Sequence, residues 1–316
     1  MPAMIKCAEP PGPRRALLLN ISAFLLWASA TLVFKALDHL PVWDVFAYRV
    51  IGSLGWCALL LWLGGSLTET WQTLRSGQER WQLLISSGLI ACNWFLVIWA
   101  VAHNRLLDAS LGYYLSPVLS VVLAHLLFGE PWGRREQLTS ALCLCGVTLI
   151  VAGAQDLQVP WTGLVIAMTF ALYSAVKKRC QTPALIGLGV ETTLVALPAA
   201  ALLLLSHWDA SASIGPRPSD WLWLVLLGLI TTVPMWLYIA SVKALSLTTV
   251  GFLQYLNPTL MFILAITLFG ETFSGLKLAG FALIWCALAG LLLSNALRWQ
   301  RAHAISRPKA IAKEMP

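Results

Sequence analysis

Two ionisable side chains interrupt long apolar stretches of this chain, and their types and positions could do chemistry. Arg49 lies about two turns into one apolar run and five positions after Asp44. A charge at membrane depth is costly, so it typically faces a water-filled cavity or a partner group. The planar guanidinium of Arg49 is predicted to bind a carboxylate or phosphate of a solute. The alternative is that Arg49 extends to the interface or pairs with Asp44 to fix the helix end.

Glu191 is the acidic residue of another long apolar run and lies one or two turns from its start. A buried carboxyl group can exchange a proton near neutral pH. Glu191, and Asp44 with it, are therefore candidates for coupling the chain's activity to a proton gradient. The alternative is that Glu191 sits near the cytoplasmic end of its helix and pairs with the basic run Lys177-Lys178-Arg179.

Two segments of the chain repeat each other 141 positions apart. The first runs from Tyr114-Leu115-Ser116-Pro117 to Phe128-Gly129-Glu130, and the second runs from Tyr255-Leu256-Asn257-Pro258 to Phe269-Gly270-Glu271. Six matching residues at one offset, with apolar residues between them, indicate duplication of a multi-helix unit. Duplicated membrane units of this kind are typical of transporters.

Both copies of the repeat carry a proline that is preceded by polar side chains. Pro117 and Pro258 lack an amide donor, so both helices are predicted to kink about two turns from their starts and to expose backbone polarity. Such segments are candidates for a solute site, or else they only shape packing and form interhelical hydrogen bonds. The polar candidates are Tyr113, Tyr114, Gln254, Tyr255 and Asn257, together with Asn93 of the preceding apolar run.

No metal ion or cofactor is expected. The histidines and cysteines lack metal-ligand spacing, and His39 is assigned to an outer loop with a solvated role. The chain contains no zinc-protease motif, no Walker glycine loop and no nucleophile motif beside a base. The glycine of each Phe-Gly-Glu segment is expected to cap a helix, which makes both glutamates structural corner residues.

The composition of the chain indicates whether these residues lie in water or in a lipid bilayer. Hydrophobic residues make up 59% and charged residues 11%, and the mean hydropathy is +0.76. A bilayer core about 30 Å thick takes roughly 20 apolar residues per helix. Uncharged runs of that length without period-2 alternation predict helices rather than barrel strands. The sequence therefore predicts an all-α integral membrane protein with ten spans, near residues 16–36, 43–64, 81–102, 108–128, 137–154, 160–176, 184–206, 220–242, 246–269 and 276–297.

The basic residues predict the orientation of these spans. With a cytoplasmic N-terminus, 16 of the 21 lysines and arginines fall on the inner side, as the positive-inside rule requires. Both termini are then cytoplasmic, and the net charge of +7 suits anionic lipid rather than a nucleic acid. Five spans per copy invert the second copy. The predicted organisation is a tail at 1–15, a first repeat at 16–154, an inverted repeat at 160–298 and a basic tail at 299–316.

The chain resembles the RarD permeases, which belong to the EamA branch of the drug/metabolite transporter superfamily. The resemblance covers residues 16–298, and at Ser116 and Asn257, before the two prolines, the chain departs from the family pattern. It implies ten helices, two EamA repeats and solute transport across the bacterial inner membrane. The segments that carry it are Asn93-Trp94, Trp99-Ala100-Val101, Ala109-Ser110-Leu111-Gly112-Tyr113-Tyr114, Pro117, Phe128-Gly129-Glu130, Glu191-Thr192, Thr231-Thr232-Val233-Pro234, Gly251-Phe252-Leu253-Gln254-Tyr255 and Pro258-Thr259-Leu260-Met261-Phe262.

These observations favour a permease of the inner membrane over other classes of protein. Without an ATP-binding motif, movement of a solute depends on a solute or ion gradient. The predicted function is export of a small metabolite or drug-like molecule by alternating access, with the bilayer and the solute as partners and a homodimer left open. The alternatives are an intramembrane enzyme that acts on a lipid-linked substrate, and a channel.

Overall fold

The computed structural model describes residues 11–37, 39–76, 79–102, 106–153, 161–206, 216–267, 274–287 and 289–290. Helices joined by short links make up this part of the chain, and it contains no strand. The helices are α1 Pro13–Ala36, α2 Val42–Leu63, α3 Leu67–Ser76, α4 Arg80–Ala102, α5 Leu106–Phe128, α6 Arg134–Ala152, α7 Trp161–Arg179, α8 Ala184–Ser206, α9 Asp220–Ala244, α10 Leu247–Leu253, α11 Leu256–Thr267 and α12 Gly275–Ala287.

The helical membrane fold is confirmed. Six helices are long and apolar enough to cross a bilayer, namely Pro13–Phe34, Val42–Leu63, Arg80–Ala100, Arg134–Ala152, Ala184–Leu205 and Asp220–Ala244, and two shorter apolar helices are Gly112–Phe128 and Gly275–Ala287. The six coincide with predicted spans because continuous apolar sequence of this length has no other satisfied backbone conformation in lipid. The count of ten spans and the inverted arrangement stay predictions. Both terminal tails lie largely outside the described residues.

The predicted span at 246–269 is wrong as a single helix. Its described part is divided into α10 and α11, with a turn at Gln254 and Tyr255. Pro258 is the third residue of α11 rather than a position two turns inside a helix, and proline is tolerated in a first turn because the amide it lacks has no partner there. Pro117 differs, since α5 continues as a helix on both of its sides.

A short helix that the sequence analysis missed, α3, lies between α2 and α4. Its ten residues mix polar and apolar side chains, so it gives no signal in a search for long apolar runs. Thr70 of α3 packs near Gly189 of α8. On the exposed surface of α3, the Arg75 guanidinium lies 4.7 Å from the ring of Trp71.

The chain forms two compact units. The first contains residues 1–130 and 158–272, with α1 to α5 and α7 to α11, and the second contains residues 131–157 and 273–316. In the first unit α2 crosses α9 at Gly52 and Gly228, where a Cβ on Gly228 would lie 2.6 Å from the backbone of Gly52. In the second unit α6 and α12 meet at Gly146 and Gly280. Small residues at such crossings let membrane helices approach closely.

Candidate functional site

Arg49 lies about two turns into α2 and is buried among side chains of four other helices. Its Nε donates a hydrogen bond of 3.1 Å to Thr231 Oγ1 on α9. The guanidinium carbon lies 4.7 Å from the ring centre of Trp94 on α4 and 5.7 Å from that of Phe34 on α1. Tyr113 of α5 is close enough to interact with it electrostatically. Aromatic faces attract a cation, so they stabilise the arginine, which has no carboxylate partner among the described residues.

The depth of Arg49 follows from the position of its partner on α9. Thr231 lies eleven residues after Asp220 and twelve before Lys243, which is about 17 and 18 Å at the helical rise of 1.5 Å per residue. Arg49 is therefore near the middle of the bundle and is only 9% exposed, so the snorkelling alternative is wrong. Asp44 is buried as well, but no ion pair joins it to Arg49 in the described part of the chain.

Gln254 forms a second buried polar group at the end of α10. Its Oε1 accepts a hydrogen bond of 2.9 Å from Ser116 Oγ, and its Nε2 donates to Ser120 Oγ at 3.2 Å and to the Tyr238 hydroxyl at 3.4 Å. The Tyr238 hydroxyl is also 2.6 Å from Ser174 Oγ. This network links α5, α7, α9 and α10, and it uses both ends of the Gln254 amide.

A glycine allows α10 to lie against α5 at the first proline. A Cβ added to Gly251 would stand 3.0 Å from the carbonyl oxygen of Pro117 and 3.1 Å from the Cβ of Ser120. Such distances are shorter than ordinary van der Waals contacts. The absence of a side chain at Gly251 therefore brings Gln254 within hydrogen-bond reach of α5.

The remaining predicted residues have different surroundings. Asn93 donates to a carbonyl of α7 at 2.9 Å and to Thr169 Oγ1 at 3.0 Å, so its amide nitrogen connects α4 to α7. Tyr114 and Tyr255 are buried. Asn257 is also buried, and its Oδ1 has no hydrogen-bond partner among the described residues. An unpaired buried acceptor is costly, which makes Asn257 the most available polar group near the break between α10 and α11.

Glu191 lies in a buried ionic cluster. Its Oε1 is 2.9 Å from Lys177 Nζ and accepts a hydrogen bond from Ser86, and its Oε2 accepts one of 3.1 Å from the Tyr173 hydroxyl. Lys177 and Glu191 are each 1% exposed. Lys177 is thus the residue of the basic run 177–179 that pairs with Glu191. The pair lies inside the helix bundle rather than at its surface. Ser86 precedes Trp94 by eight residues, which places the cluster about 12 Å along α4 from Arg49.

Sequence reasoning missed two acidic residues at helix starts. Glu79 precedes α4 and binds the link between α7 and α8, where it accepts hydrogen bonds from the amides of Gln181 and Thr182. Asp220 begins α9, and its Oδ2 lies 2.9 Å from Nε2 of His39. His39 is 25% exposed, so it is partly solvated, and it also contacts Asp220. A signal was available, because Glu79 and Asp220 are 141 positions apart, the offset of the repeat.

The ionisation of Glu79 follows from its hydrogen bonds. Burial alone would raise the pKa of this carboxyl group, but the hydrogen bonds from Gln181 and Thr182 and the nearby charge of Lys243 outweigh burial and lower the pKa. The carboxylate is therefore charged at neutral pH. Its contacts are present above the ordinary pKa of a glutamate and are lost as the pH falls through the lowered value.

The described residues contain no cluster of three or more His, Cys, Asp or Glu side chains that could hold a metal ion. The described cysteines are free thiols. Besides uncharged hydrogen-bond donors and acceptors, the described part of the first unit buries Arg49, Asp44 and the ion pair of Lys177 with Glu191.

The helical membrane fold and the relatives of the chain identify a membrane permease of the EamA-like transporter family. The family's sequence model matches residues 14–152 and again residues 160–293, so the chain belongs to this family. Protein RarD of Escherichia coli is 36% identical over 91% of this chain and 97% of its own length. An uncharacterized transporter of Pseudomonas aeruginosa is 39% identical over 87% of this chain and 92% of its own length.

Two further comparisons extend this result. The chloramphenicol-sensitive protein RarD of Pseudomonas aeruginosa is 29% identical over 92% of this chain and 98% of its own length. A solved crystal structure aligns with a TM-score of 0.66 at 22% identity, over 89% of this chain and 98% of the other, and it supports the fold alone. The chain is thus a multi-pass permease of the inner membrane for a small solute. The intramembrane-enzyme alternative is not favoured by its relatives.

Proposed function

We propose that this permease is a secondary carrier that exports a small organic anion by alternating access, and that Arg49 binds the anionic group. The observation that carries the proposal is a buried arginine at mid-depth that has no acidic partner among the described residues. An ionisable group inside a membrane bundle is a functional residue by default. Secondary transporters typically bind their solutes near the midplane, between two repeats.

The surroundings of Arg49 suit a bidentate anion contact. Thr231 accepts a hydrogen bond from Nε, which fixes the plane of the guanidinium. The two terminal nitrogens have no hydrogen-bond partner among the described residues, so they can bind both oxygens of a carboxylate or phosphate. Trp94 and Phe34 pack against the guanidinium and supply an apolar wall for the body of the solute. Tyr113, Tyr114, Tyr255 and Asn257 are proposed to complete the site, with Gln254 and Asn93 as its interhelical supports.

The packing of the helices supports alternating access. In the first unit α1 packs on α9 and α7 packs on α4, while α2 packs on α8. Each of these helices has a counterpart in the other predicted repeat, 16–154 or 160–298. If every helix is replaced by its counterpart, the pair α1–α9 becomes the pair α7–α4, and the pair α2–α8 stays the same. Two similar bundles related in this way can rock about a central site and open it to one side at a time.

A proton gradient is the proposed driving force. Glu191 and Asp44 are both buried carboxyl groups of the first unit. Glu191 forms an ion pair with Lys177, in which Oε1 lies 2.9 Å from Nζ. Protonation of Glu191 would release Lys177 and change the contact between α7 and α8. We expect Glu191→Gln to remove the dependence of transport on the pH gradient. An unaltered pH profile would limit Glu191 to a structural role.

Counterflow in proteoliposomes tests the proposal. The vesicles are loaded with anionic pools of organic acids or phosphate esters, or with pools of amino acids, nucleosides or amphenicols, under an imposed pH gradient, and labelled solute is exchanged. We expect saturable exchange of an anionic solute by the wild type and at least a tenfold loss in Arg49→Ala, because a bidentate charged contact contributes roughly 1.5–3 kcal/mol.

Arg75→Ala is the matched control, since Arg75 lies on the surface helix α3 and should be dispensable for exchange. Equal flux of wild type and Arg49→Ala, with equal amounts of folded protein, would contradict the role of Arg49. Flux that follows the gradient without saturation or exchange would indicate a channel instead.

A further inference from the structure

At one end of the first unit, a carboxylate of the first half of the chain holds a link of the second half. Besides two backbone amides, Glu79 accepts a hydrogen bond from the hydroxyl of Thr182. Lys243, at the end of α9, donates to the carbonyl oxygen of Thr182. We call the contacts among Glu79, Gln181, Thr182 and Lys243 the Glu79 clasp. It joins the starts of α4 and α8 to the end of α9.

A second carboxylate acts in the same way at this end. Gly129 has a φ of 62° and ends α5, and its amide donates a hydrogen bond to the His125 carbonyl, which is the αL form of a helix C-cap. The Glu130 amide donates to the Ala124 carbonyl. The Glu130 carboxylate then accepts hydrogen bonds of 2.7 and 2.9 Å from the amides of Leu247 and Thr248 at the start of α10. Glu130 therefore crosses between the halves in the same manner as Glu79.

Asp220 forms the corresponding contact at the other end of the unit. Its Oδ2 is 2.9 Å from Nε2 of His39, in the link between α1 and α2, and accepts a 2.8 Å hydrogen bond from the Arg217 amide. We call the contact of Asp220 with His39 the Asp220 clasp. Lys243 of the Glu79 clasp is on the same continuous helix, 23 residues further along, and hence about 35 Å away.

The two clasps are equivalent under the repeat. Glu79 and Asp220 stand directly before or at the start of α4 and α9, and they are separated by 141 positions, as are Tyr114 and Tyr255. Each carboxylate contacts the link between the first two helices of the opposite repeat. Thr231, which binds Arg49, lies between the clasps, about 17 Å along α9 from Asp220 and about 18 Å from Lys243.

We propose that the Glu79 and Asp220 clasps are the latches of two alternating gates, one at each face of the membrane. This inference rests on the proposed alternating access. Opening at one face requires release of the carboxylate at that face, while the other clasp stays closed. Loss of one clasp therefore shifts the population toward the state that is open at its own face. Loss of that clasp also increases the fraction of molecules that are closed at the opposite face. This reciprocal effect distinguishes a gate from a local structural contact.

Cys180 provides a reporter for the Glu79 face that needs no known solute. It lies in the link beside Gln181 and is 3% exposed. In a variant that retains Cys180 as its single cysteine, the rate of maleimide labelling in proteoliposomes measures opening at this face. Glu79→Gln should raise the rate about tenfold, the effect of losing a charge-assisted hydrogen bond, and Thr182→Val should raise it less. Asp220→Asn and His39→Gln, at the distant end, should both lower it.

A second reporter, Leu40→Cys in the single-cysteine background, tests the Asp220 face. Leu40 follows His39 and is 5% exposed, and its labelling should respond to the same variants in the opposite sense. Glu69→Gln on α3 is the matched control, because Glu69 is exposed and its carboxylate forms no hydrogen bond or ion pair with a described residue, and it should leave both rates unchanged.

Labelling of Cys180 that is raised or unaffected by Asp220→Asn would overturn the paired gates. Counterflow by the wild type separates this result from the proposed function. Saturable exchange without reciprocal labelling would reject the latches and keep the carrier. Reciprocal labelling without exchange of any anionic pool would keep the latches and reject the proposed solute class.

Discussion

At the scale of single residues, Lys177 and Glu191 are the most demanding feature of the molecule, since both charges are almost fully buried. Removal of one partner leaves an uncompensated charge in a low-dielectric interior, at a cost of about 3–5 kcal/mol. We expect Lys177→Met to lower the thermal stability of the detergent-solubilised protein strongly. The double variant Lys177→Met/Glu191→Gln should recover most of the loss, because it removes both charges. Equal stability of the single and double variants would contradict a tight ion pair.

At the scale of helices, the packing of one helix on another determines which polar groups come into contact. Gln254 reaches Ser116 and Ser120 because α10 touches α5 at Gly251. The break between α10 and α11 at Gln254 and Tyr255 then places Asn257 on a new helix. A side chain that separates α10 from α5 should therefore damage the site without altering any polar residue.

Gly251→Val tests this dependence on helix contact. The added atoms would meet the Pro117 carbonyl, and overpacking of this kind typically costs 1–3 kcal/mol. We expect both lower thermal stability and loss of counterflow. Gly55→Val on α2 is the matched control, because nothing lies within 4 Å of a Cβ at Gly55. Similar effects of the two variants would show that helix contact at Gly251 is unimportant.

At the scale of the whole molecule, the distribution of basic residues predicts that both termini are cytoplasmic. Fluorescent-protein fusions at either terminus should fluoresce, and alkaline phosphatase fused at either terminus should be inactive. Phosphatase fused after Arg217, in the link before α9, should be active because that link is expected on the outer side. An active phosphatase at the C-terminus would contradict an even number of spans between the tails, and with it the inverted second copy.

Much of the architecture could be predicted from local sequence. Six spans, in α1, α2, α4, α6, α8 and α9, were recognisable because length and apolar character are local properties, whereas α3 and the division of α10 from α11 carry no such signal. The glycine cap at Gly129 was also predictable and is confirmed by its φ of 62°. The caps of the second copy, at Gly270 and Glu271, lie outside the described residues.

The sequence by itself determined the membrane environment, the helical class and the family, because composition, run length and motif spacing require no knowledge of neighbours. Only the tertiary structure decided the partners. Thr231 binds Arg49 from 182 positions away, and Glu79 meets Thr182 across 103. Glu191 selects Lys177 rather than the two adjacent basic residues. Such choices depend on which helix faces pack together, and in an apolar chain nearly every face is hydrophobic enough to be buried or to contact lipid.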